Sequence, residues 1–195
     1  MSIIDTNAAS PAQCQGQTTF TFPGSLSLYH ASPAAYLSAN PSANKLVVGA
    51  VIIHDRRALL VQRAAHDGFA LKWECPGGCV DLTDPTILHA LCREVAEETG
   101  LVVSRVAGVL DQVEFDGREV GWRWRKITFL AEIDRNGQGV DGVVPTVRLD
   151  PGEHCDAVWA DEQEVMAGKC QGRVIEFAYE NQRGLVLGAL RAASV

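Results

Sequence analysis

Three glutamates lie close together in the segment REVAEETGL, residues 93–101. In an α-helix Glu94 and Glu98 would stand four residues apart and Glu94 and Glu97 three apart, so all three carboxylates share one face. Like charges at these spacings destabilise an isolated helix, and a solvated surface would usually break such a cluster with lysines. Carboxylate oxygens are the ligands that hard divalent cations such as Mg²⁺ prefer. The pattern therefore predicts a cation site at Glu94, Glu97 and Glu98.

The residues around this cluster predict how it is held. Asp84 followed by Pro85 is typical of a helix start, with Asp84 as the N-cap and Pro85 at the first helical position. Gly100 is typical of a helix end. Gly77 and Gly78 come just before the helix, and without a Cβ they let the backbone approach a ligand closely. Apolar residues at helical spacing should face a core: Ile87, Leu88, Leu91 and Val95.

The segment WECPGGCVDLTDPTILHALCREVAEETGL, residues 73–101, resembles the Nudix box of the Nudix hydrolase superfamily. That motif runs Gly, five residues, Glu, seven residues, Arg-Glu, an aliphatic residue, any residue, Glu-Glu, any residue, Gly and an aliphatic residue. The second half matches at every fixed position from Arg93 to Leu101. The separation between Gly78 and Arg93 is one residue longer than in the motif, so we interpret the loop before the helix as carrying a one-residue insertion. Asp84 lies nearest to the motif's first glutamate, a residue that in the family supports the loop more than it binds metal. Asp84 is therefore either an N-cap or a substitute for that glutamate, and we favour the cap.

The resemblance implies an Mg²⁺-dependent pyrophosphohydrolase, with Mn²⁺ as a second usable cation. It would cleave a diphosphate linkage in a nucleoside diphosphate linked to another moiety. By the same resemblance the metal ligands are Glu94, Glu97, Glu98 and the carbonyl of Gly77, and the catalytic residues are Arg93, Glu94 and Glu97. Arg93 could orient a glutamate, form an ordinary helix salt bridge with Glu97, or do both. Family members differ in which glutamate is the general base. WExPGG with the upstream LLVQR looks most like the nucleotide-cleaning branch of the family.

Two other functions compete with this one. The first is hydrolysis of a non-nucleotide diphosphate, such as a prenyl diphosphate in a biosynthetic pathway. The second is a non-catalytic nucleotide-binding module that regulates a partner, although such modules usually lose box glutamates and all three are present here. An isopentenyl-diphosphate isomerase would need a Cys-Ser-His-Pro-type segment, which is absent from the sequence.

Three residues outside the box are candidates for substrate binding. Arg63 ends a predicted strand, and Arg125 lies on a later strand that also carries Trp122 and Trp124. Basic side chains there could hold phosphates and an indole could stack on a base, or else the tryptophans pack and the arginines are solvated. Glu153, followed by His154, resembles a segment that often follows the last long strand in this family. It could supply a further carboxylate or a base, or form part of a surface loop.

The remaining pattern predicts an α/β fold. Residues 1–44 are expected to be an N-terminal extension that packs on a hydrolase domain formed by residues 45–195. We expect strands near 18–22, 46–55, 58–64, 102–115, 119–133 and 157–160, and helices over 33–39, from Asp161 and over 179–192. A glycine-rich loop is predicted for 134–144. Mixed strands with helices on both faces make an α/β/α sandwich with a mixed β-sheet, which the Nudix resemblance also implies.

Bulk properties exclude some classes of protein. The 195 residues carry a net charge of −7 and no basic cluster, which argues against a nucleic-acid duplex as partner. No apolar run has the length of a membrane span, so no membrane partner is expected, and no signal peptide is evident. Six cysteines without metal-site spacing suggest reduced thiols and a cytoplasmic location. Family members are often dimers, so the resemblance also raises a homodimer.

Overall fold

The computed structural model describes residues 10–12, 19–134 and 144–193. The strands are β1 Ser10–Ala12, β2 Phe20–Phe22, β3 Lys45–His54, β4 Arg57–Arg63, β5 Trp73–Glu74, β6 Val103–Asp116, β7 Arg123–Ile133, β8 His154–Ala160, β9 Lys169–Cys170 and β10 Arg173–Val174. The helices are α1 Pro33–Ala39, α2 Ile87–Thr99, α3 Glu162–Ala167 and α4 Glu180–Ala192, with a 3₁₀ helix over Gly24–His30. Most of the predicted glycine-rich loop, residues 135–143, lies outside the described residues. No helix in the described ranges is long and apolar enough to cross a membrane.

One mixed sheet organises the molecule, in the order β1-β2-β6-β7-β3-β4-β5, with β8 paired to β4. β3 and β7 run parallel, whereas β6 and β7 run antiparallel. β9 and β10 form a separate hairpin. The long strand predicted from residue 119 begins at Arg123, because residues 117–122 form the turn from β6 to β7 and Gly117 N–H donates to the Trp122 carbonyl at 2.7 Å.

The sheet separates two hydrophobic cores, because side chains alternate between its faces along each strand. Val48, Ala50 and Ile52 of β3 pack in the core that contains the apolar residues of α2. Val51, between them, packs in the other core with α3 and α4. Helices on both faces of a mixed sheet make the predicted α/β/α sandwich, and this prediction is confirmed.

The N-terminal segment joins the core on the α2 side. Phe20, Phe22, Tyr29 and Tyr36 are all buried there. α1 begins at Pro33, as predicted, and Ser32 is its N-cap. The division of the chain into an extension and a domain at residues 44 and 45 stays a prediction.

The predicted start of α2 is wrong. Its N-cap is Thr86, whose hydroxyl accepts a hydrogen bond from the His89 N–H at 3.2 Å, and its first helical residue is Ile87. Asp84 and Pro85 lie in the turn before it. The predicted end is confirmed, because Gly100 adopts the left-handed conformation at φ 69°.

Candidate active site

A glycine loop lies beside the central strand and forms one wall of the site. The β3 amides of Val48 and Ala50 donate to the carbonyls of Gly78 and Pro76 at 2.9 and 2.8 Å. Gly77 has φ +142°, and a Cβ there would stand 2.2 Å from the Val48 carbonyl oxygen. Only glycine can take this position, so the backbone of the loop is fixed against the sheet.

The three box glutamates differ sharply in exposure. Glu98 is 3% exposed and its Oε2 accepts the Gly77 N–H at 2.7 Å, which ties the end of α2 to the glycine loop. Glu94 is also buried, whereas the Glu97 side chain is 58% exposed. The pKa of Glu98 is raised to about 9, mainly by burial and also by the nearby carboxylates of Glu74 and Glu94, while the Gly77 hydrogen bond acts in the opposite direction. Burial also raises the pKa of Glu94. The site thus concentrates carboxylates where negative charge is costly without a cation.

Arg93 holds the exposed edge of this cluster. Its Nη1 donates to Glu94 Oε1 at 2.8 Å and to Glu97 Oε2 at 3.0 Å. Its Nε and Nη2 donate to the two carboxylate oxygens of Asp84 at 2.9 and 2.8 Å. The Asp84 carboxylate, almost fully buried, also accepts the Asp81 N–H at 2.8 Å. Asp84 is therefore a bidentate partner of Arg93 that supports the loop, and this is the physical reason why it does not cap α2.

The start of β8 adds two side chains to the site. One potential ligand atom from each of Glu98, Glu153 and His154 lies within 4.8 Å of the others, so this cluster could hold a divalent cation. His154 is 3% exposed, and neither ring nitrogen has a hydrogen-bond partner among the described residues. Its Nε2 stands 3.5 Å from Glu74 Oε1. The structure thus brings Glu153 to the box, although 55 residues separate it from Glu98.

Arg63 also reaches the edge of the site but is engaged by protein groups. It forms ion pairs with Glu74 and Asp67, and its Nε donates to the Gly68 carbonyl at 2.6 Å. Glu74, buried between Arg63 and His154, was not singled out from the sequence. The sequence offered a reason to single it out, because Glu74 lies in the WExPGG half of the motif.

Arg125 is not brought together with the box. Its donors bind Glu114, the Tyr36 hydroxyl at 3.1 Å and the Ser42 hydroxyl at 2.8 Å. The next residue, Lys126, points to the opposite face of the sheet, as alternation requires. Its ammonium lies 4.4 Å from the centre of the Tyr179 ring.

Lys126 is a further basic group whose charge acts on the buried carboxylates Glu74 and Glu98. Burial lowers its pKa, and the charges of Glu74 and Glu98 act against this shift. Among the described residues no carboxylate oxygen lies within 4.0 Å of its ammonium. The sequence showed Lys126 only as one of several basic residues on β7.

The cysteines beside the box lie in environments that disfavour their reactive form. Burial raises the pKa of Cys92 to about 12 and raises that of Cys79 as well. A thiolate is the reactive form, and these environments disfavour it at neutral pH. The carboxylates are therefore the candidate reactive groups of the site.

Comparison with known proteins identifies the fold and the family of the chain. A putative 8-oxo-dGTP diphosphatase 2 of Mycobacterium tuberculosis is 41% identical over 64 residues, which cover 33% of this chain and 45% of that protein. The chain thus spans about half the length of the curated relatives it matches. A MutT protein from Methanosarcina mazei has the same fold, with a TM-score of 0.55, 22% identity and coverage of 78% of this chain and 96% of the other. So does the NUDIX domain of Shewanella oneidensis NrtR, crystallised with ADP ribose, with a TM-score of 0.55, 23% identity and coverage of 84% and 99%. The NUDIX domain family matches residues 43–177, more than half of the sequence, and the chain belongs to this family.

Proposed function

We propose that this chain is an Mg²⁺-dependent hydrolase that cleaves the diphosphate linkage of a nucleoside diphosphate joined to another moiety. The observation that carries the proposal is the buried Glu98 carboxylate, bonded to the Gly77 N–H and surrounded by further carboxylates. Family membership and the 8-oxo-dGTP diphosphatase relative support the reaction class.

The residues present fit a hard divalent cation. Glu94, Glu97, Glu98 and the carbonyl of Gly77 offer oxygen atoms only, which Mg²⁺ prefers and Mn²⁺ accepts. Burial raises the pKa of Glu98 and so disfavours its charged form, and a bound cation would stabilise that form. When bound, the cation would neutralise the diphosphate and lower the pKa of an attacking water.

The protein groups have separate tasks in this proposal. Arg93 is a positioning residue that holds Glu94 and Glu97 by hydrogen bonds, while Asp84 holds Arg93. Glu153 is exposed and stands within the Glu98 cluster, so it and Glu97 are both candidates to accept the proton of the water.

Fewer residues are proposed to contact a phosphate than the sequence suggested. Arg63 can contact a phosphate only if it exchanges Asp67 for the substrate, since its other partner Glu74 is buried. Arg125 is not included, because its guanidinium is bonded to Glu114, Tyr36 and Ser42. The cytoplasmic location and the homodimer stay predictions. Size-exclusion chromatography with light scattering would measure the oligomeric state.

A substrate panel tests the reaction. Nucleoside triphosphates, nucleoside diphosphate sugars and prenyl diphosphates would be incubated with Mg²⁺, with Mn²⁺ and with excess chelator. The products would be measured as pyrophosphate, or as phosphate that a coupling phosphatase releases from the monophosphate products. We expect turnover of a nucleotide substrate that needs the cation. Glu98→Gln should cut turnover by at least about 100-fold, roughly 2.7 kcal/mol in the barrier. Glu119→Gln, a carboxylate in the exposed β6–β7 turn, is the matched control and should retain activity.

Two outcomes would contradict the proposal. Full turnover in chelator would exclude a cation-dependent reaction. Turnover of prenyl diphosphates without turnover of any nucleotide would show that the substrate is a non-nucleotide diphosphate.

A further inference from the structure

A buried histidine joins the N-terminal segment to the first turn of α2. His89 is 5% exposed and lies three residues after Thr86, the N-cap of the helix. Its ring is in edge contact with Phe20 of β2, with 5.1 Å between the ring centres. It also lies 5.9 Å from the ring of His30, the last residue of the 3₁₀ helix. We call residues 20–31 the N-terminal clasp.

The N-terminal clasp packs on the start of α2. Its buried side chains belong to the core on that side of the sheet: Phe20, Phe22, Leu26 and Tyr29. The Ala31 carbonyl accepts the N–H of Ile87, the first helical residue, at 3.2 Å. The turn just before α2 carries Asp84, which holds Arg93 of the box. The clasp therefore contacts the segment that positions the box.

The two ring nitrogens of His89 have different surroundings. Nδ1 lies 2.7 Å from the Thr86 hydroxyl oxygen, so one hydrogen bond joins the two side chains. Nε2 is buried and has no hydrogen-bond partner among the described residues. A neutral imidazole can leave Nε2 without a proton, as an unpaired acceptor. A protonated imidazole must place an N–H there, and its charge would lie where neither water nor an acceptor reaches it.

The charged groups around His89 do not compensate for this burial. β2 presents the uncharged ring of Phe20, and the 3₁₀ helix presents His30, whose positive charge would repel a second one. The turn before α2 presents Asp84, whose carboxylate favours the protonated form but is already bound by both arms of Arg93. Arg93 itself lies one turn further along α2. Burial, together with the charge of His30, therefore lowers the pKa of His89.

We propose that the N-terminal clasp is an acid-sensitive contact that opens when His89 takes up a proton. Opening would expose the His89 ring to water, where its charged form is solvated. It would also release the first turn of α2, beside the turn that carries Asp84, and so loosen the support of the box. The inference concerns the packing of the clasp and does not depend on the proposed hydrolysis.

Opening of the clasp should depend on pH in one direction. Because the pKa of His89 is lowered in the closed chain, the open chain binds a proton more readily, and the closed form loses stability as pH falls below about 6.5. One proton taken up on opening raises the population of the open form by up to about tenfold for each pH unit, until the lowered pKa is passed. Above about pH 7.5 the equilibrium should no longer depend on His89.

Hydrogen exchange of single amides tests the clasp in the full chain. Exchange rates measured by NMR between about pH 5 and 8, each divided by the rate of an unstructured peptide at the same pH, give the opening equilibrium. The Leu26 N–H, bonded to the Pro23 carbonyl at 2.9 Å, reports on the clasp. The Ala50 N–H of β3, bonded to the Pro76 carbonyl at 2.8 Å, reports on the central sheet. We expect opening at Leu26 to increase about threefold or more from pH 7 to 5, and opening at Ala50 to change less.

Three variants separate His89 from general effects of acid. His89→Gln removes the titrating ring, so opening at Leu26 should vary less than about twofold over this range. His66→Gln, at an exposed histidine outside the clasp, is the matched control and should keep the wild-type profile. His30→Gln removes a charge that disfavours protonation of His89, so its profile should be flatter than that of the wild type. His30 is exposed, so this variant should fold even if His89→Gln does not.

Four results would overturn the inference. Opening at Leu26 that is independent of pH would show that no proton is taken up. The same profile in His89→Gln and the wild type would assign the proton to another group. Equal increases at Leu26 and Ala50 would show that acid unfolds the whole chain and not the clasp. If His89→Gln does not fold, a wild-type profile in His30→Gln would exclude the histidine pair.

Discussion

Replacing Asp84 by asparagine should destabilise the loop that carries the box. The Asp84 carboxylate accepts both arms of the Arg93 guanidinium and the Asp81 N–H while almost fully buried. Asparagine keeps one oxygen, so one arm of Arg93 would face an NH₂ group and lose its acceptor. A hydrogen bond to a charged group contributes about 1.5–3 kcal/mol. Arg93 retains Glu94 and Glu97, so we expect a loss of about 2 kcal/mol in the free energy of unfolding, near the lower end of that range.

The assay is thermal unfolding in chelator, followed by circular dichroism. For a chain of this size, 1 kcal/mol shifts Tm by about 2–4 °C, so Asp84→Asn should lower Tm by about 4–8 °C. Asp81→Asn is the matched control, because the Asp81 side chain is 69% exposed and only reaches Arg93 at 4.0 Å. Asparagine caps helices as well as aspartate does, so an N-cap at Asp84 would predict no change. Equal Tm values for Asp84→Asn and Asp81→Asn would refute the bidentate pairing as a source of stability.

Three further predictions concern the site and the scaffold around it. Because burial raises the pKa of Glu98 from 4.5 to about 9, the folded chain holds a proton that the unfolded chain releases, so metal-free stability should fall as pH rises from about 4.5 to 9. Melting curves across this range should show the fall in the wild type and a flatter profile in Glu98→Gln. Gly77→Ala should prevent correct folding of the loop, since the alanine Cβ would overlap the Val48 carbonyl. Faster amide exchange in the loop or a lower yield of folded protein would report this. Gly188→Ala, on α4 with open space around the new methyl group, should instead raise stability by about 1 kcal/mol in denaturant titration.

The local patterns of the sequence predicted most of the scaffold for identifiable reasons. The β-branched run of β3 is typical of a buried strand, and the spacing of the apolar residues in α2 matches the period of a helix. Gly100 ended its helix as predicted because the left-handed conformation favours glycine. The start of the same helix was predicted wrongly, because Asp84-Pro85 and Thr86 both satisfy local capping rules. Arg93 decides between them, because its side chain reaches back from the second turn of α2 and binds the Asp84 carboxylate.

The sequence by itself determined the family chemistry, because Arg93 to Leu101 places three carboxylates on one helix beside a glycine pair. It could not distinguish Glu98 from Glu97, since their burial depends on how the glycine loop packs against β3. Only the tertiary structure joined Glu153 to the box, and only the docking of the N-terminal segment on α2 placed His30 beside His89. Periodicity acts over a few neighbouring residues, whereas these contacts connect positions more than 50 residues apart. Their free energies depend on burial and on charges from several elements, which arise only when the sheet and its helices have packed.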